Sequence, residues 1–160
     1  MTASIGETIP DLELPATGNR SVKLSDYRGK HLVLYFYPKA STPGCAQEGQ
    51  DFRDAFEEFA AANTVILGTS RDSLKAQDAF KAKQGFNFDL LSDPDEALCR
   101  AFDVIKPKKM FGKDTVGVER STFLIDAAGV LRQEWRGVKV KGHVADVLDA
   151  ARELAAPPPA

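Results

Sequence analysis

Residues 31–48 of the chain are HLVLYFYPKASTPGCAQE, an apolar run followed by a proline and a short polar turn. The apolar part, residues 31–37, predicts a buried strand, and Pro38 must end it because proline cannot donate to a sheet ladder. Thr42 is a preferred helix N-cap residue, and Pro43 suits the first helical position, where a missing N–H costs nothing. The stretch therefore predicts a strand, a tight turn and a helix that begins at Pro43.

Cys45 is the residue that this turn places best for chemistry. With Thr42 as the cap, Cys45 is third in the helix, among backbone N–H groups that have no acceptor within the helix. Their dipoles favour an anion, so we expect the sulfur to be held as a thiolate. The competing explanation is an inert buried cysteine, since free cysteines are often buried. The cap, the strand-to-helix turn and the adjacent Gly44 favour a reactive role.

Length and composition are those of one globular domain. The chain has 160 residues, of which 43% are hydrophobic and 28% charged. We expect one domain over residues 1–156 and a proline-rich tail at 157–160. The net charge of -2 gives no reason to expect nucleic acid or an anionic membrane surface as a partner. No apolar run is long enough for a membrane span and no signal peptide is visible, so the expected location is cytoplasmic.

Cysteine and histidine usage restricts the kinds of site that the chain can build. Two cysteines, Cys45 and Cys99, make no disulfide framework and suit a reducing compartment. With only His31 and His143 beside them, no cluster has the spacing of metal ligands. We therefore expect no structural metal.

The rest of the chain alternates short strand and helix patterns. Strands are expected at 11–15, 22–24, 64–70, 88–91, 119–126 and 130–136, and helices at 43–63, 73–84, 95–102 and 142–156. The first two strands form an N-terminal hairpin, and residues 106–117 form a loop or hairpin tip whose four lysines are explained by solvation. This order predicts an α/β fold with a mixed central sheet flanked by helices, and ligands of such folds bind at the carboxyl ends of the strands.

The signature Pro38-x-x-x-Thr42-x-x-Cys45 resembles the active-site motif of peroxiredoxins. The flanking sequence, including Glu48, is similar to the bacterioferritin-comigratory (Q-type) branch of that family. The similarity extends over nearly the whole chain and includes ERSTFLID at residues 119–126. It implies a thioredoxin-like fold and reduction of hydroperoxides by a thiolate, through a sulfenic acid and without a metal, flavin or haem.

Carried over to this chain, the resemblance makes Cys45 the nucleophile, Thr42 the hydroxyl donor and Pro38 a shield over the pocket. It makes Arg120 the guanidinium beside the sulfur, and Glu48 could orient that guanidinium. The chemistry agrees, because attack on an O–O bond needs a placed peroxide and donors for its oxygens. The competing explanations are a surface salt bridge for Arg120 and a first-turn carboxylate favoured by the helix dipole for Glu48.

The sequence departs from the resemblance at the positions of the second cysteine. In this branch a resolving cysteine lies five or thirty-six residues after the nucleophile, and here those positions are Gln50 and Lys81. The remaining thiol, Cys99, is expected to be packed in a helix. Ala40 stands where the branch commonly has an acidic residue, which should affect the loop rather than the chemistry. These departures predict an enzyme with one reactive cysteine.

The predicted function is a thiol peroxidase that reduces hydrogen peroxide and organic hydroperoxides and is regenerated by an external thiol. Thioredoxin, glutaredoxin and glutathione are the candidate reductants, and the expected assembly is a monomer, with a weak dimer as the alternative. Two other functions stay open at this point. One is a thiol redox sensor that binds a partner when oxidised, and the other is a thioredoxin-like scaffold without turnover.

Overall fold

A seven-stranded mixed sheet organises the chain in the computed structural model, which describes residues 2–155. The strands are β1 (Glu13–Ala16), β2 (Arg20–Lys23), β3 (His31–Phe36), β4 (Thr64–Ser70), β5 (Asp89–Ser92), β6 (Ile105–Met110), β7 (Lys113–Val118), β8 (Ser121–Ile125) and β9 (Leu131–Arg136). The helices are α1 (Pro43–Asp54), α2 (Phe56–Ala61), α3 (Leu74–Gln84), α4 (Ala97–Ala101) and α5 (His143–Ala155), with one 3₁₀ turn at Leu24–Tyr27.

The strand order in the sheet is β2-β1-β5-β4-β3-β8-β9, which puts β3 near the centre. The strand β3 runs parallel to β4 and antiparallel to β8, and β1 pairs with β2 as an N-terminal hairpin. The predicted mixed sheet, its flanking helices and the hairpin are therefore confirmed. The strands β6 and β7 pair only with each other, as a separate two-stranded ribbon.

The strand β3 contributes to two cores, because successive side chains of a strand point to opposite faces. Tyr35 lies in the core that also contains Cys45 from α1. Phe36 lies in the other core, with Cys99 from α4. The sheet itself therefore separates the two cysteines of the chain.

One predicted helix is wrong in its extent. The pattern at 43–63 predicts a single helix, whereas the structure has α1 and α2 with a break at Ala55. At the break, Ala55 has φ -96° and ψ 4°, and its N–H is shared between the carbonyls of Asp51 and Arg53. The apolar spacing continues across this tightened turn, which is why the sequence pattern does not reveal it.

The other bounds agree with the predicted ones within two residues. The helix α3 begins as expected, with Ser73 Oγ accepting a hydrogen bond from the N–H of Ala76, and it ends at Gly85 with φ 66°. The helix α4 starts later than predicted because Glu96 is in the left-handed region, with φ 63°. The segment 106–117 is mostly the β6–β7 ribbon rather than a loop.

The predicted single domain over 1–156 stays a prediction, and the predicted tail at 157–160 lies outside the described residues. Within residues 2–155, none of the helices combines the length and the apolar character that crossing a membrane requires.

The helix α1 packs against the ring of Phe86 at Gly49, and only glycine permits so close a contact. A Cβ on Gly49 would lie 2.2–2.9 Å from ring atoms of Phe86. That ring cannot move aside easily, because it stacks on Phe88 at a centroid distance of 5.1 Å and meets Phe80 edge-on at 5.0 Å. The closeness of Gly49 to this aromatic cluster fixes where α1 sits.

We therefore expect Gly49→Ala to lower the unfolding free energy by about 1–3 kcal/mol, as overpacking does in a filled core. A glycine-to-alanine change inside an unobstructed helix has the opposite sign, since alanine stabilises helices by roughly 1 kcal/mol. Urea unfolding of the wild type and the variant measures the difference. In a Phe86→Ala background the same substitution should cost less, and an equal cost in both backgrounds would contradict the contact as the cause.

Candidate active site

The turn between β3 and α1 is tied to the carboxyl end of the neighbouring strand β4. The N–H of Tyr37 donates to the carbonyl of Thr69 at 3.0 Å. The N–H of Ala40 donates to Asp72 Oδ2 at 2.7 Å. These two bonds fix the loop that leads into α1, at the sheet edge where such folds bind ligands.

Thr42 occupies the N-cap position of α1, with extended backbone (φ -93°, ψ 153°), and Pro43 is the first helical residue. Its side chain does not cap the helix, however, so the predicted side-chain cap is wrong. The hydroxyl instead donates to the carbonyl of Lys39 at 2.8 Å. The side chain of Thr42 therefore leaves the N–H groups at the start of the helix uncapped, and Cys45 lies in that first turn.

Cys45, Arg120 and Glu48 form a continuous chain of polar contacts. Arg120 Nη2 donates to Cys45 Sγ at 3.4 Å, and Arg120 Nη1 donates to Glu48 Oε1 at 2.7 Å. Cys45 is 2% exposed and Glu48 is fully buried. Arg120 immediately precedes β8, which pairs with β3, so the sheet carries the guanidinium to the start of α1. Three of the five predicted site residues are thus in one hydrogen-bonded group.

Gly44 makes room for that group. A Cβ on Gly44 would lie 3.3 Å from Arg120 Nη2, which is closer than ordinary van der Waals contact. The two remaining predicted residues, Thr42 and Pro38, lie in the loop just before Cys45, where Pro38 is half-buried and directly follows Tyr37 in the chain. The loop and the hydrogen-bonded group together enclose a sulfur with one cation beside it.

Comparison with known proteins identifies the family. The sequence model of the AhpC/TSA family matches residues 5–134. The chain belongs to the AhpC/TSA family. It is 53% identical to peroxiredoxin Bcp of Bacillus subtilis, over 96% of this chain and 98% of that one. It is 56% identical to peroxiredoxin Bcp of Xanthomonas campestris, over 89% of each chain.

Solved structures agree with the family assignment. A peroxiredoxin Q structure from Xanthomonas campestris matches with a TM-score of 0.87 at 54% identity, covering 91% of this chain and 92% of that one. A Xylella fastidiosa PrxQ structure matches with a TM-score of 0.92 at 45% identity, covering 98% of this chain and 99% of that one. The fold is the thioredoxin-like peroxiredoxin fold, and the protein is a thiol-dependent peroxidase, an oxidoreductase. Neither the sensor nor the inactive scaffold is supported by these relatives.

The electrostatics of this peroxidase site keep a positive charge beside the sulfur. Burial by itself would lower the pKa of Arg120, but the negative charges of Glu48 and Cys45 outweigh burial and raise that pKa above its ordinary value. Burial raises the pKa of Glu48 to about 7, against the opposing pull of Arg120. Arg120 is therefore always charged, whereas Glu48 changes its protonation near neutral pH.

The second cysteine lies on the other side of the sheet from the candidate site. Cys99 is fully buried in the core on the other face of the sheet. Burial raises the pKa of its thiol, and the nearby Asp93 carboxylate raises it further. The backbone N–H of Cys99 also donates to Asp93 Oδ2 at 2.8 Å. The expectation of a packed, unreactive thiol agrees with these surroundings.

The two positions where the family resemblance implies a resolving cysteine, Gln50 and Lys81, have other contacts here. Gln50 Nε2 donates to Gln84 Oε1 at 2.6 Å, which links α1 to α3. Lys81 Nζ pairs with Asp89 Oδ1 at 2.9 Å, which links α3 to β5. Both side chains therefore tie secondary-structure elements together.

Sequence reasoning missed a buried polar pair behind the site. His143 Nε2 and Thr122 Oγ1 are 2.8 Å apart, and both residues are buried. Thr122 is opposite Tyr35 in the pairing of β8 with β3. Burial lowers the pKa of His143 to about 4, and the positive charge of Arg120 adds to that shift against the opposite effect of Asp146. The only sequence signal was a histidine at the start of an amphipathic helix, which by itself indicates no role.

Glu48 and His143 are expected to have opposite effects on stability as pH changes. Unfolded Glu48 loses its proton near pH 4.5 and folded Glu48 near 7, so its contribution to the unfolding free energy falls as pH rises through that window. Unfolded His143 binds a proton below pH 6.5 but the folded residue only below about 4, so its contribution rises with pH in between. The two effects oppose each other in the overlap of these windows.

We therefore expect the stability of Glu48→Gln, relative to wild type, to rise with pH between about 4.5 and 7. His143→Asn should show the reverse trend relative to wild type between about 4 and 6.5. Urea unfolding at several pH values measures both differences. A pH-independent difference for either variant would contradict the shifted titration of that residue.

Proposed function

We propose that Cys45 is the peroxidatic thiolate and that the enzyme reduces hydrogen peroxide and organic hydroperoxides. The observation that carries this proposal is the buried contact of Cys45 Sγ with a guanidinium that is itself held by Glu48. Organic hydroperoxides are included because the Xanthomonas campestris bacterioferritin comigratory protein, 54% identical, was crystallised in a study of its alkyl peroxide reduction activity.

The reaction begins when the thiolate of Cys45 attacks one peroxide oxygen. An S–O bond forms as the O–O bond breaks, and the leaving oxygen takes a proton to become water or an alcohol. Cys45 is left as a sulfenic acid. Arg120 stabilises the charge that moves from sulfur to oxygen, since its planar fork can hold both atoms at once.

Thr42 contributes an oxygen on the loop side of the sulfur. Its one hydroxyl proton is donated to the carbonyl of Lys39, so the oxygen is left to accept a hydrogen bond. The group that it can accept from is the O–H of the peroxide, which would align the O–O bond for attack. This assigns Thr42 the role of acceptor for the substrate proton in place of the predicted donor.

Glu48 and Pro38 act by positioning and by exclusion of water. Glu48 holds the guanidinium through a buried charge-assisted hydrogen bond of 2.7 Å, which keeps the fork aimed at the sulfur. Pro38 is half-buried at the end of the β3 segment and has no N–H to attract water into the pocket. Both roles favour a site in which the thiolate meets peroxide rather than bulk solvent.

Regeneration requires a thiol from outside the chain, because Cys99 lies in the core on the opposite face of the sheet. Thioredoxin, glutaredoxin and glutathione are the reductants that we propose. Two unpaired cysteines suit a reducing compartment, so we propose the cytoplasm as the location. For the assembly we propose a monomer, with a weak dimer as the alternative.

The first test of this proposal is Arg120→Lys. The lysine keeps the charge but loses the planar fork, so the rate of reaction with peroxide should fall by about 100-fold or more, as after removal of one preorganised donor. Stopped-flow kinetics of a single turnover measures this rate. Arg136→Lys is the matched control, since Arg136 also pairs with carboxylates, those of Glu119 and Glu134. A wild-type rate in Arg120→Lys would exclude the catalytic role.

The second test concerns the fate of the sulfenic acid. After one equivalent of peroxide, the wild type should carry one added oxygen on Cys45 and no intramolecular disulfide, and excess peroxide should drive Cys45 to sulfinic acid. Mass spectrometry with a sulfenic-acid trap measures both products. Cys99→Ser should turn over like the wild type with an external thiol. A Cys45–Cys99 disulfide, with turnover lost in Cys99→Ser, would show that resolution is internal.

A further inference from the structure

The ribbon formed by β6 and β7 leaves the body of the protein directly beside the active site. It pairs with no strand of the seven-stranded sheet. Its base is closed by the N–H of Glu119, which donates to the carbonyl of Val104 at 2.7 Å. The next residue is Arg120, whose guanidinium contacts Cys45. A partner bound along the base of the ribbon would therefore lie close to Arg120.

The tip of the ribbon carries an aromatic residue that is not packed against the rest of the fold. Phe111 is 97% exposed and has φ 53°, and with Gly112 at φ 77° it forms a two-residue turn with positive φ at both positions. Such turns favour asparagine and glycine, and a bulky side chain in this backbone region is an outlier that costs conformational energy. The fold gains no burial in return, which points to a role in binding.

One face of the ribbon carries three of the four lysines in its two strands. The register pairs Lys106 with Gly117, Lys108 with Thr115 and Met110 with Lys113, so the three lysines share a face. Asp114, the single acidic residue of the ribbon strands, is paired with Lys109 on the opposite face. Lys108 and Lys113 are exposed, whereas Lys106 pairs with Asp103 at 3.0 Å, so the first two supply the free positive charge of this face. This surface therefore favours an acidic partner, although the whole chain has a net charge of -2.

The proposed function requires a partner at this place. Cys45 is 2% exposed, so a thiol that reduces its sulfenic acid has to be held nearby while the first turn of α1 opens. We propose that the β6–β7 ribbon is the docking element for a redoxin, a thioredoxin-fold protein with two redox-active thiols and an acidic surface around an apolar contact area. This inference rests on the proposed function and names the reductant class for the same site.

The two thiols of the docked redoxin are sufficient to reduce the sulfenic acid of Cys45, and no other reagent is needed. One redoxin thiolate attacks the sulfenic sulfur of Cys45, the S–O bond breaks, and the hydroxide leaves as water with one proton. The mixed disulfide is then attacked on the redoxin sulfur by the second redoxin thiolate. Cys45 leaves as a thiolate, and the redoxin carries away a disulfide. The partner is oxidised by two electrons and Cys45 is reduced by two.

The experiment separates docking from the peroxide reaction. In Lys108→Glu/Lys113→Glu, we expect the rate of sulfenic acid reduction by thioredoxin or glutaredoxin to fall at least about tenfold at low salt, because steering by exposed charges is lost. The loss should shrink as salt is added. Reduction by dithiothreitol and the single-turnover rate with peroxide should stay at wild-type values. Phe111→Asn, which suits the positive φ, should fold normally and also slow the redoxin step.

The matched control is Lys30→Glu/Lys83→Glu, which makes the same charge change at two exposed lysines, one just before β3 and one in the last turn of α3. This control should react with redoxins like the wild type. A wild-type redoxin rate in the ribbon variants, or no redoxin faster than glutathione with the wild type, would overturn the inference. A loss that is equal with dithiothreitol would also overturn it. A failure of the peroxide step in the wild type would instead refute the proposed function.

Discussion

The site depends on the guanidinium of Arg120, because this one cation contacts two buried groups at once. On one side it contacts the sulfur of Cys45, and on the other it donates to the carboxylate of Glu48. A buried ion pair of this kind contributes little net stability, but loss of one partner leaves an uncompensated charge and is costly. The group therefore behaves as one unit, and its geometry is fixed by the elements that carry its members.

Three close approaches of side chains to backbone hold those elements in place. Arg120 lies over Gly44, Phe86 over Gly49, and the hydroxyl end of Tyr35 over Gly68, where a Cβ would be 2.9 Å from the oxygen. The first two contacts position α1, and the third joins β3 to β4. Because close-packed interiors do not deform smoothly, these contacts keep the start of α1 and the guanidinium in register. The position of the site thus depends on aromatic packing at Gly49 and Gly68 as well as on the contact of Arg120 with Gly44.

The sequence allowed most of the fold to be predicted, because the signals for its strands and helices were local, whereas Arg120 and Glu48 entered the candidate site only through the family resemblance. The run ending at Pro38 and the Thr42-Pro43 start of α1 depend on backbone chemistry that neighbouring residues determine. The predictions that were wrong or missing concerned tertiary contacts or a choice between hydrogen-bond partners. The hydroxyl of Thr42 had two acceptable partners, and the carbonyl of Lys39 was the one chosen. The break at Ala55 leaves the spacing of the apolar residues intact, so the sequence pattern does not reveal it. The His143–Thr122 pair joins residues that no local pattern connects.

The sheet explains why the chemistry of this enzyme has to be completed by another molecule. Its two thiols belong to different cores, and β3 with its neighbours lies between them. An internal disulfide would have to join thiols that lie in cores on opposite faces of the sheet, whereas the proposed external thiol would need only the first turn of α1 to open. Local opening of a helix end costs far less than global unfolding. The same strand that leads to Cys45 at its carboxyl end therefore also separates it from Cys99, and the proposed external reductant follows from that separation.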